Sequence, residues 1–133
     1  MPDSPLPDAP ARYVFVYGTL RRGGSNDITR LQPAPTWVGA ASVEGVLYHL
    51  GAYPGLRLQG GGRVCGEVYR IAPPLEVVLD RIEDITPAPE DEYAKRELLV
   101  EVAGQWLPCL VYEVASWRCA TAPCIASGDW LQA

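Results

Sequence analysis

A strand that runs into a glycine loop constrains this chain more than any other feature of its sequence. Residues 13–17 read Tyr-Val-Phe-Val-Tyr, and such β-branched and aromatic side chains favour an extended, pleated segment. Gly18 follows, and glycine permits backbone angles or close approaches that a side chain would forbid. Because residues 21–26 have loop composition, the N–H groups of Gly18, Thr19 and Leu20 are expected to lack ladder partners, which suits binding of a small carboxylate. The alternative is an ordinary turn that leaves an N-terminal strand.

Four more short motifs follow Tyr17-Gly18-Thr19-Leu20 along the chain. They are Gly-Ala-Tyr-Pro-Gly at 51–55, Gly-Glu-Val-Tyr at 66–69, Leu-Asp-Arg-Ile-Glu at 79–83 and Ser-Gly-Asp-Trp at 127–130. In this order and spacing, the series resembles the gamma-glutamylcyclotransferase-like family, in particular its small bacterial branch and the gamma-glutamylamine cyclotransferases or AIG2-like proteins. The resemblance spans residues 13–131. It implies an α+β fold, a small, mixed, partly closed β-barrel-like sheet with one main helix.

The length of the chain limits its domain organisation. A chain of 133 residues can bury one hydrophobic core and leaves no room for a second. Four of the first ten residues are proline, so we expect a flexible tail at residues 1–11. A single domain is expected at residues 12–133.

Charge and hydropathy exclude two classes of partner. The chain has 11 Lys plus Arg against 16 Asp plus Glu, a formal charge of −5, so it lacks the basic surface that binding to a nucleic acid backbone needs. The first residues show no basic and apolar leader pattern, and the apolar segments are interrupted well short of a membrane span. We therefore expect a soluble, cytoplasmic protein with no nucleic acid partner, no membrane association and no obligate protein partner.

Cysteine and histidine do not form a metal-binding pattern. The cysteines include no Cys-x-x-Cys pair and, without a secretion signal, are expected to be free thiols: Cys65, Cys109, Cys119 and Cys124. His49 stands alone in a strand-like run, so we expect no metal, although a nucleophilic pair of His49 with a cysteine is an open alternative. There is no nucleophile elbow or phosphate loop, and the glycines at 60–62 predict a hairpin turn. We expect no cofactor.

One helix and several short strands complete the predicted elements. The helix begins near Pro74 and carries an apolar stripe at helical spacing, formed by Leu75, Val78, Leu79 and Ile82. Strand composition is found at 36–50, 55–59 and 63–71, a hairpin is predicted at 97–102 and 106–114, and a short helical turn at 27–31. The residues from 115 onward have an irregular composition.

Glu83 is the candidate acid/base. On the helix it falls about 40 degrees beyond Leu79, at the margin of the apolar stripe, whereas Asp80 and Asp84 point further toward solvent. Partial burial raises the pKa of a carboxylate toward the value that a general base needs near neutral pH. The alternative is a boundary glutamate whose carboxylate lies in water. In the family pattern Leu-Asp-x-x-Glu the glutamate is the catalytic acid/base, and here that position is Glu83.

The resemblance also implies a reaction. A gamma-glutamyl amide or peptide carries its own nucleophile, the α-amine, which closes a five-membered ring on the γ-carbonyl and yields 5-oxoproline and a free amine. Such a transferase or lyase needs no nucleophilic side chain, because intramolecular reactions reach high effective molarities. The alternative is a module of the same fold that binds a gamma-glutamyl compound or another carboxylate without turning it over.

The predicted substrate-binding residues surround this chemistry: Tyr17, Gly18, Thr19, Leu20, Tyr53 and Tyr93. Tyr53 precedes a Pro-Gly turn that can form a rim opposite the loop at Tyr17. Tyr93 with Lys95 resembles the Tyr-x-Arg element of the family, but Lys replaces Arg, and Arg96 follows it. Core packing is the alternative role for Tyr93.

Three other segments receive different expectations. Glu67 is expected at a solvent-facing strand position, although it could face inward. The motif at 127–130 is expected to be structural, with Trp130 capping the sheet and Asp129 accepting from local N–H groups. The acidic, proline-rich stretch at 86–92 is expected to be an exposed loop that borders the site and disfavours acidic leaving groups.

Overall fold

The computed structural model describes residues 12–83 and 92–132. Within these ranges the strands and the helix are β1 (Arg12–Val16), β2 (Thr36–Glu44), β3 (Val46–His49), β4 (Pro54–Arg57), β5 (Arg63–Ile71), α1 (Pro73–Ile82), β6 (Tyr93–Val102) and β7 (Gln105–Val114). Short 3-10 helices lie at Ile28–Arg30, Ser116–Cys119 and Trp130–Gln132. The tail expected at 1–11 lies outside the described residues, as does most of the acidic loop expected at 86–92.

Strand β1 lies at the centre of a five-stranded sheet. The strand order is β2-β5-β1-β7-β6, and β1 runs antiparallel to β5 and parallel to β7. Strands β3 and β4 form a separate two-stranded sheet. The central strand therefore delivers the residues that follow it, 17–20, to the middle of one end of the sheet.

The five-stranded sheet curls strongly. Its two edge strands approach each other, since a β-carbon added at Gly39 of β2 would lie 2.8 Å from a methyl carbon of Val102 in β6. The edges stay unpaired in the hydrogen-bond ladder, so the sheet is curled and not closed. The mixed α+β fold with a partly closed sheet and one main helix, as the sequence predicted, is confirmed.

Both faces of β1 are buried, in two different hydrophobic clusters. Val14 and Val16 pack on the side of α1, whereas Phe15 and Tyr17 pack on the side of β3 and β4. This alternation follows from the two-residue period of a strand. It explains why residues 13–17 are all apolar or aromatic, because both faces of the strand pack against a hydrophobic cluster and only Tyr13 among them is partly exposed.

The helix agrees with its prediction to within one residue. Two prolines occupy its first turn, where their missing N–H groups cost little. Leu75 and Leu79 are completely buried, and Val78 and Ile82 pack against the same cluster. Glu83 follows as the C-terminal cap, and its backbone N–H donates to the Leu79 carbonyl at 2.9 Å. The helix therefore ends with the candidate acid/base.

Two predicted turns have different outcomes. The hairpin of β6 and β7 is confirmed, with positive φ at Ala103 (52°) and Gly104 (79°). The hairpin turn expected at 60–62 is wrong, because β4 pairs with β3 and β5 pairs with β2, so these glycines connect two sheets. The run expected at 36–50 breaks at Gly45, whose N–H donates to the Gly62 carbonyl at 3.0 Å.

Three smaller observations complete the fold. A short helical turn lies at Ile28–Arg30, as expected. The four cysteines are free thiols, also as expected. Among the described helices, none is both long enough and apolar enough to cross a membrane.

Candidate active site

A cavity of about 330 Å³ lies where β1 and α1 end and where β4 and β6 begin. Every residue that the sequence predicted for the site lines it: Tyr17, Gly18, Thr19, Leu20, Tyr53, Glu83 and Tyr93. The other lining residues are Phe15, Val16, Ser25, Asn26, Ala52, Pro54, Ile82, Glu92 and Tyr112. The charged side chains of this lining are the carboxylates of Glu83 and Glu92. The fold thus brings together residues as distant in the chain as Phe15 and Tyr112.

The loop after β1 contributes Gly18, Thr19 and Leu20 to the lining of the cavity. The carbonyls of residues 18–20 accept hydrogen bonds from the residues that follow. Gly18 O accepts from Arg21 N at 3.0 Å, Thr19 O from Asn26 N at 2.9 Å and Leu20 O from Ile28 N at 2.9 Å. Within residues 12–83 and 92–132, the N–H groups of residues 18–20 have no such acceptor. Gly18 and Leu20 are buried, and buried donors without an acceptor are groups that an anion can satisfy; we refer to these three N–H groups as the N–H cradle.

Asp27 fixes the far side of the same loop. It is 7% exposed, and its carboxylate accepts from the Gly23 N–H at 2.8 Å and from the Thr29 N–H at 2.9 Å. The Thr29 hydroxyl donates to it at 2.6 Å and, together with these N–H groups, holds the pKa of Asp27 below its usual value. Asp27 therefore stays ionised and acts as an internal staple of the loop.

Glu83 lies at the cavity with an unusual protonation equilibrium. Burial is the main cause that raises its pKa from 4.5 to about 7, and the charge of Glu92 adds to the effect. Among the described residues, no basic side chain forms an ion pair with Glu83 that would oppose this shift. A carboxylate that is half ionised near neutral pH can both accept and donate a proton. The shelter that helix geometry predicted for Glu83 is therefore present.

Tyrosine hydroxyls fix the walls of the cavity. Tyr17 donates to the Tyr112 carbonyl at 2.6 Å, Tyr93 donates to the Pro54 carbonyl at 2.7 Å, and Tyr53 donates to Glu92 at 2.6 Å. Burial, and secondarily the charge of Glu83, raises the pKa of Tyr17 well above its usual value. Tyr17 is thus a neutral donor that ties β1 to β7.

Glu92 and Tyr112 also line the cavity, although neither was predicted as a site residue. Glu92 is the last residue of the stretch expected to border the site, and Arg118 Nε holds its carboxylate at 2.9 Å. Tyr112 shares one face of β7 with Leu110 and Val114, and it donates to Asp80 at 2.7 Å. The alternation along β7 was the available signal, but it identifies Tyr112 only once β7 is known to lie beside β1.

Lys95 and Arg96 lie away from the cavity. Lys95 Nζ contacts the carboxylates of Glu76 at 2.6 Å and Asp80 at 2.9 Å on α1, and Arg96 contacts Glu113 at 3.1 Å. Asp80 is partly exposed, with 28% of its side chain accessible, and it accepts hydrogen bonds from Lys95 and from the Tyr112 hydroxyl. Lys95 joins β6 to the helix that carries Glu83.

Glu67 differs most from its expectation. The prediction of a solvent-facing position is wrong, since Glu67 is 6% exposed. Its carboxylate accepts from Arg21 Nε at 3.1 Å, from the Arg22 N–H at 2.9 Å and from the Tyr69 hydroxyl at 3.0 Å. The alternation of side chains along β5 predicted that Glu67 lies on a polar outer face. The loop after β1 covers that face instead, and the positive charge of Arg21 compensates the buried carboxylate of Glu67.

The C-terminal motif has the structural role that was expected. Asp129 accepts from the Leu131 N–H at 3.0 Å and from Arg21 Nη1 at 2.7 Å. Trp130 packs against the cluster inside the curled sheet and lies 5.3 Å from the ring of His49. His49 Nδ1 accepts from the Gly51 N–H at 3.2 Å, and His49 is not among the lining residues of the cavity. In the described ranges, no cluster of three His, Cys, Asp or Glu side chains could hold a metal ion.

Comparison with known proteins shows which protein family the chain is similar to, which the geometry of the cavity alone does not. The family described as gamma-glutamyl cyclotransferase, AIG2-like matches residues 14–132. A Vibrio cholerae protein with the provisional name gamma-glutamylcyclotransferase is 34% identical over 119 residues, which cover 90% of this chain and 95% of that protein. The crystal structure of a mouse AIG2-like protein superposes with a TM-score of 0.70 at 27% identity, covering 85% of this chain and 84% of that chain.

A larger relative shares the same fold. YkqA from Bacillus subtilis superposes with a TM-score of 0.70 at 25% identity over 92% of this chain, which spans only 40% of the length of YkqA. The family match extends from β1 to the last 3-10 helix and includes every motif described above. This chain therefore belongs to the gamma-glutamyl cyclotransferase, AIG2-like family.

Proposed function

We propose that the protein converts a gamma-glutamyl amide or peptide into 5-oxoproline and a free amine, with Glu83 as the acid/base. The observation that carries this proposal is the pairing of two groups in one cavity. Glu83 has a pKa of about 7, and the N–H groups of residues 18–20 have no acceptor in the described part of the chain. One group suits proton transfer and the other suits binding of a carboxylate.

The N–H cradle binds the α-carboxylate of the substrate. Hydrogen bonds from backbone N–H groups to a carboxylate are charge-assisted and short, and they fix its orientation. The substrate then extends along the cavity toward Glu83, between the walls formed by Tyr53 and Tyr93. A bound γ-glutamyl group bent in this way brings its α-nitrogen near its own γ-carbon. Effective molarities for such ring closures reach about 10⁵ to 10⁸ M.

Glu83 moves the protons of the reaction. Its carboxylate accepts a proton from the α-ammonium, and the freed amine attacks the γ-carbonyl carbon, so that the ring N–C bond forms. The bond from that carbon to the leaving nitrogen then breaks as Glu83 returns this proton to the leaving nitrogen. The regenerated carboxylate accepts the second proton from the ring nitrogen and passes it to the released amine. In total two protons pass from the α-nitrogen to the leaving amine, and no water is consumed. A pKa of about 7 suits both directions of transfer.

The test is detection of 5-oxoproline by mass spectrometry after the protein is incubated with a panel of gamma-glutamyl amines, gamma-glutamyl dipeptides, gamma-glutamyl-ε-lysine and glutathione. Glu83→Gln is expected to lower turnover at least about 100-fold, since general acid–base catalysis contributes that much or more. Glu97→Gln is the matched control, because Glu97 is an exposed carboxylate whose side chain is 62% accessible.

Two outcomes of this experiment would contradict the proposal, one for catalysis and one for the role of Glu83. If no member is turned over, yet gamma-glutamyl compounds or 5-oxoproline raise the melting temperature, the catalytic proposal is overturned. The protein would then be a binding module of the same fold. If turnover occurs and Glu83→Gln retains it, cyclisation stands and Glu83 is not its acid/base.

A further inference from the structure

The loop that forms the N–H cradle is held by a carboxylate of the protein itself. Glu67 is 6% exposed and lies on β5 opposite Val16, the last residue of β1. Its two oxygens accept from Arg21 Nε and from the Arg22 backbone N–H. We propose that Glu67 is a positioning residue, which keeps the N–H groups of residues 18–20 in the arrangement that receives the substrate α-carboxylate. This inference rests on the proposed function, because it assigns a role within the same site.

The contacts of Glu67 and Arg21 form a closed network. Arg21 bridges Glu67 at 3.1 Å and Asp129 at 2.7 Å, and its side chain is 11% exposed. The Tyr69 hydroxyl adds a third donor to Glu67 at 3.0 Å. Two carboxylates therefore occupy the guanidinium of Arg21, which is not among the residues lining the cavity. Recognition of the substrate carboxylate falls to the backbone N–H groups and not to this arginine.

Arg21 links Glu67 to the N–H cradle. The Arg21 N–H donates to the Gly18 carbonyl at 3.0 Å, which closes the turn, while the side chain of the same residue is held by Glu67. Buried N–H groups without acceptors are costly, so a loose loop would rearrange to pair them within the protein. Glu67 opposes that rearrangement because moving the loop would leave its own buried charge unpaired.

A purely structural ion pair would behave differently from a positioning residue. Loss of a structural pair lowers stability and reduces the turnover of every substrate by a similar factor. Loss of a positioning residue reduces, in particular, the benefit that a substrate gains from its α-carboxylate. The two roles are separated by a pair of substrates that differ only in this group.

The experiment compares a gamma-glutamyl amide with the matching 4-aminobutyryl amide, which lacks the α-carboxylate and cyclises to 2-pyrrolidinone. In the unmodified protein we expect kcat/KM to favour the carboxylate-bearing substrate about 100-fold, the scale of one or two charge-assisted hydrogen bonds. In Glu67→Gln, which keeps the shape and removes the charge, the preference is expected to fall below about tenfold. The acidic limb of the pH profile, which reports Glu83, is expected to stay in place.

Glu113→Gln is the matched control. Glu113 is 7% exposed, accepts from the Leu58 N–H at 2.8 Å and contacts Arg96 at 3.1 Å, but it lies outside the lining of the cavity. We expect this variant to lose comparable stability and to keep the full preference for the carboxylate. A preference that falls equally in both variants, or in neither, overturns the proposal. If Glu67→Gln does not fold, Arg21→Lys, which keeps the cation and loses the fork geometry, is expected to show the same loss.

A binding experiment tests this inference independently of the proposed function. Calorimetric titration with 5-oxoproline and with 2-pyrrolidinone measures how much the carboxylate contributes to binding affinity, without any turnover. Preference for 5-oxoproline that is reduced in Glu67→Gln and kept in Glu113→Gln supports the positioning role even if the catalytic proposal fails. Turnover in the unmodified protein without any preference for the carboxylate, in binding or in kcat/KM, overturns the positioning role while the cyclotransferase proposal stands.

Discussion

Gly18 and Pro54 are packed against each other without space for another atom. A β-carbon built on Gly18 would lie 2.6 Å from Pro54 Cγ and 2.8 Å from Pro54 Cδ. Gly18 is not among the residues with positive φ, so glycine is required here by the close approach of β4 and not by its backbone angles. This contact brings the N–H cradle against the segment that carries Tyr53.

Gly18→Ala is therefore expected to disrupt the site through overpacking. We expect a loss of about 1–3 kcal/mol in the free energy of unfolding and a higher KM, because the ring of Pro54 cannot rotate away. Denaturant titration and steady-state kinetics measure both. Pro54→Ala removes the two clashing carbons, so the double variant is expected to recover stability relative to the sum of the single variants. Gly18→Ala with unchanged stability would contradict this account of the contact.

The pH dependence of turnover is expected to follow Glu83. Its pKa is raised to about 7 by burial and by Glu92, so its carboxylate form is lost as pH falls below that value. Because only the carboxylate accepts the proton, kcat/KM should rise tenfold per pH unit at low pH and level off above about 7. A midpoint near the ordinary glutamate value would show that the group is solvated in the working enzyme.

Glu92→Gln is expected to move that midpoint downward. The charge of Glu92 is the second cause of the raised pKa of Glu83, so its removal makes ionisation of Glu83 easier. The same variant removes the negative charge that strengthens the contacts of Glu92 with the Tyr53 hydroxyl and with Arg118, so KM is expected to rise as well. Arg118→Met is the control for the lost contact, since it keeps the carboxylate. A pH profile that does not move would show that Glu92 does not influence Glu83.

Stability should also depend on pH through Glu83. Its folded pKa of about 7 exceeds the value of 4.5 for a free glutamate, so the folded state holds the proton more tightly than the unfolded state. Stability is full at low pH and is lost as pH rises from about 4.5 to about 7. Glu83→Gln does not titrate, so its advantage over the unmodified protein should grow across this window to at most about 3 kcal/mol. Melting curves at acidic and mildly alkaline pH measure this difference, and an advantage independent of pH would contradict it.

Lys95→Met is expected to affect the helix and not the substrate. Lys95 joins β6 to Glu76 and Asp80 of α1 and lies outside the cavity, so we expect a loss of about 1 kcal/mol and a nearly unchanged KM. Tyr93→Phe is the comparison, because it removes the bond to the Pro54 carbonyl from a residue that lines the cavity. A large rise of KM in Lys95→Met would assign Lys95 the role expected from the family's arginine.

Local pattern was sufficient for the elements that build most of the site. The apolar run before Gly18 predicted β1 and the open loop, and the stripe of α1 predicted that Glu83 would be sheltered at its margin. The motifs at 51–55 and 79–83 identified Tyr53 and Glu83 as candidates, and the family is shown by the comparisons. Each of these features is encoded within a few residues, by side-chain periodicity or by the order of short motifs.

Pairing between distant strands decided the rest, because it is not encoded in any local pattern. The strand order places Glu67 beneath the loop that follows β1, so a residue that alternation assigned to solvent became a buried ion pair with Arg21. The same pairing directs Lys95 to the helix and brings Tyr112 to the cavity. In a sheet covered on both sides, alternation separates two faces without saying what covers each one. Sequence alone therefore determined which candidate side chains the protein offers. Only the packing of the curled sheet decided which of them line one cavity and which, such as Glu67 and Lys95, are held in ion pairs.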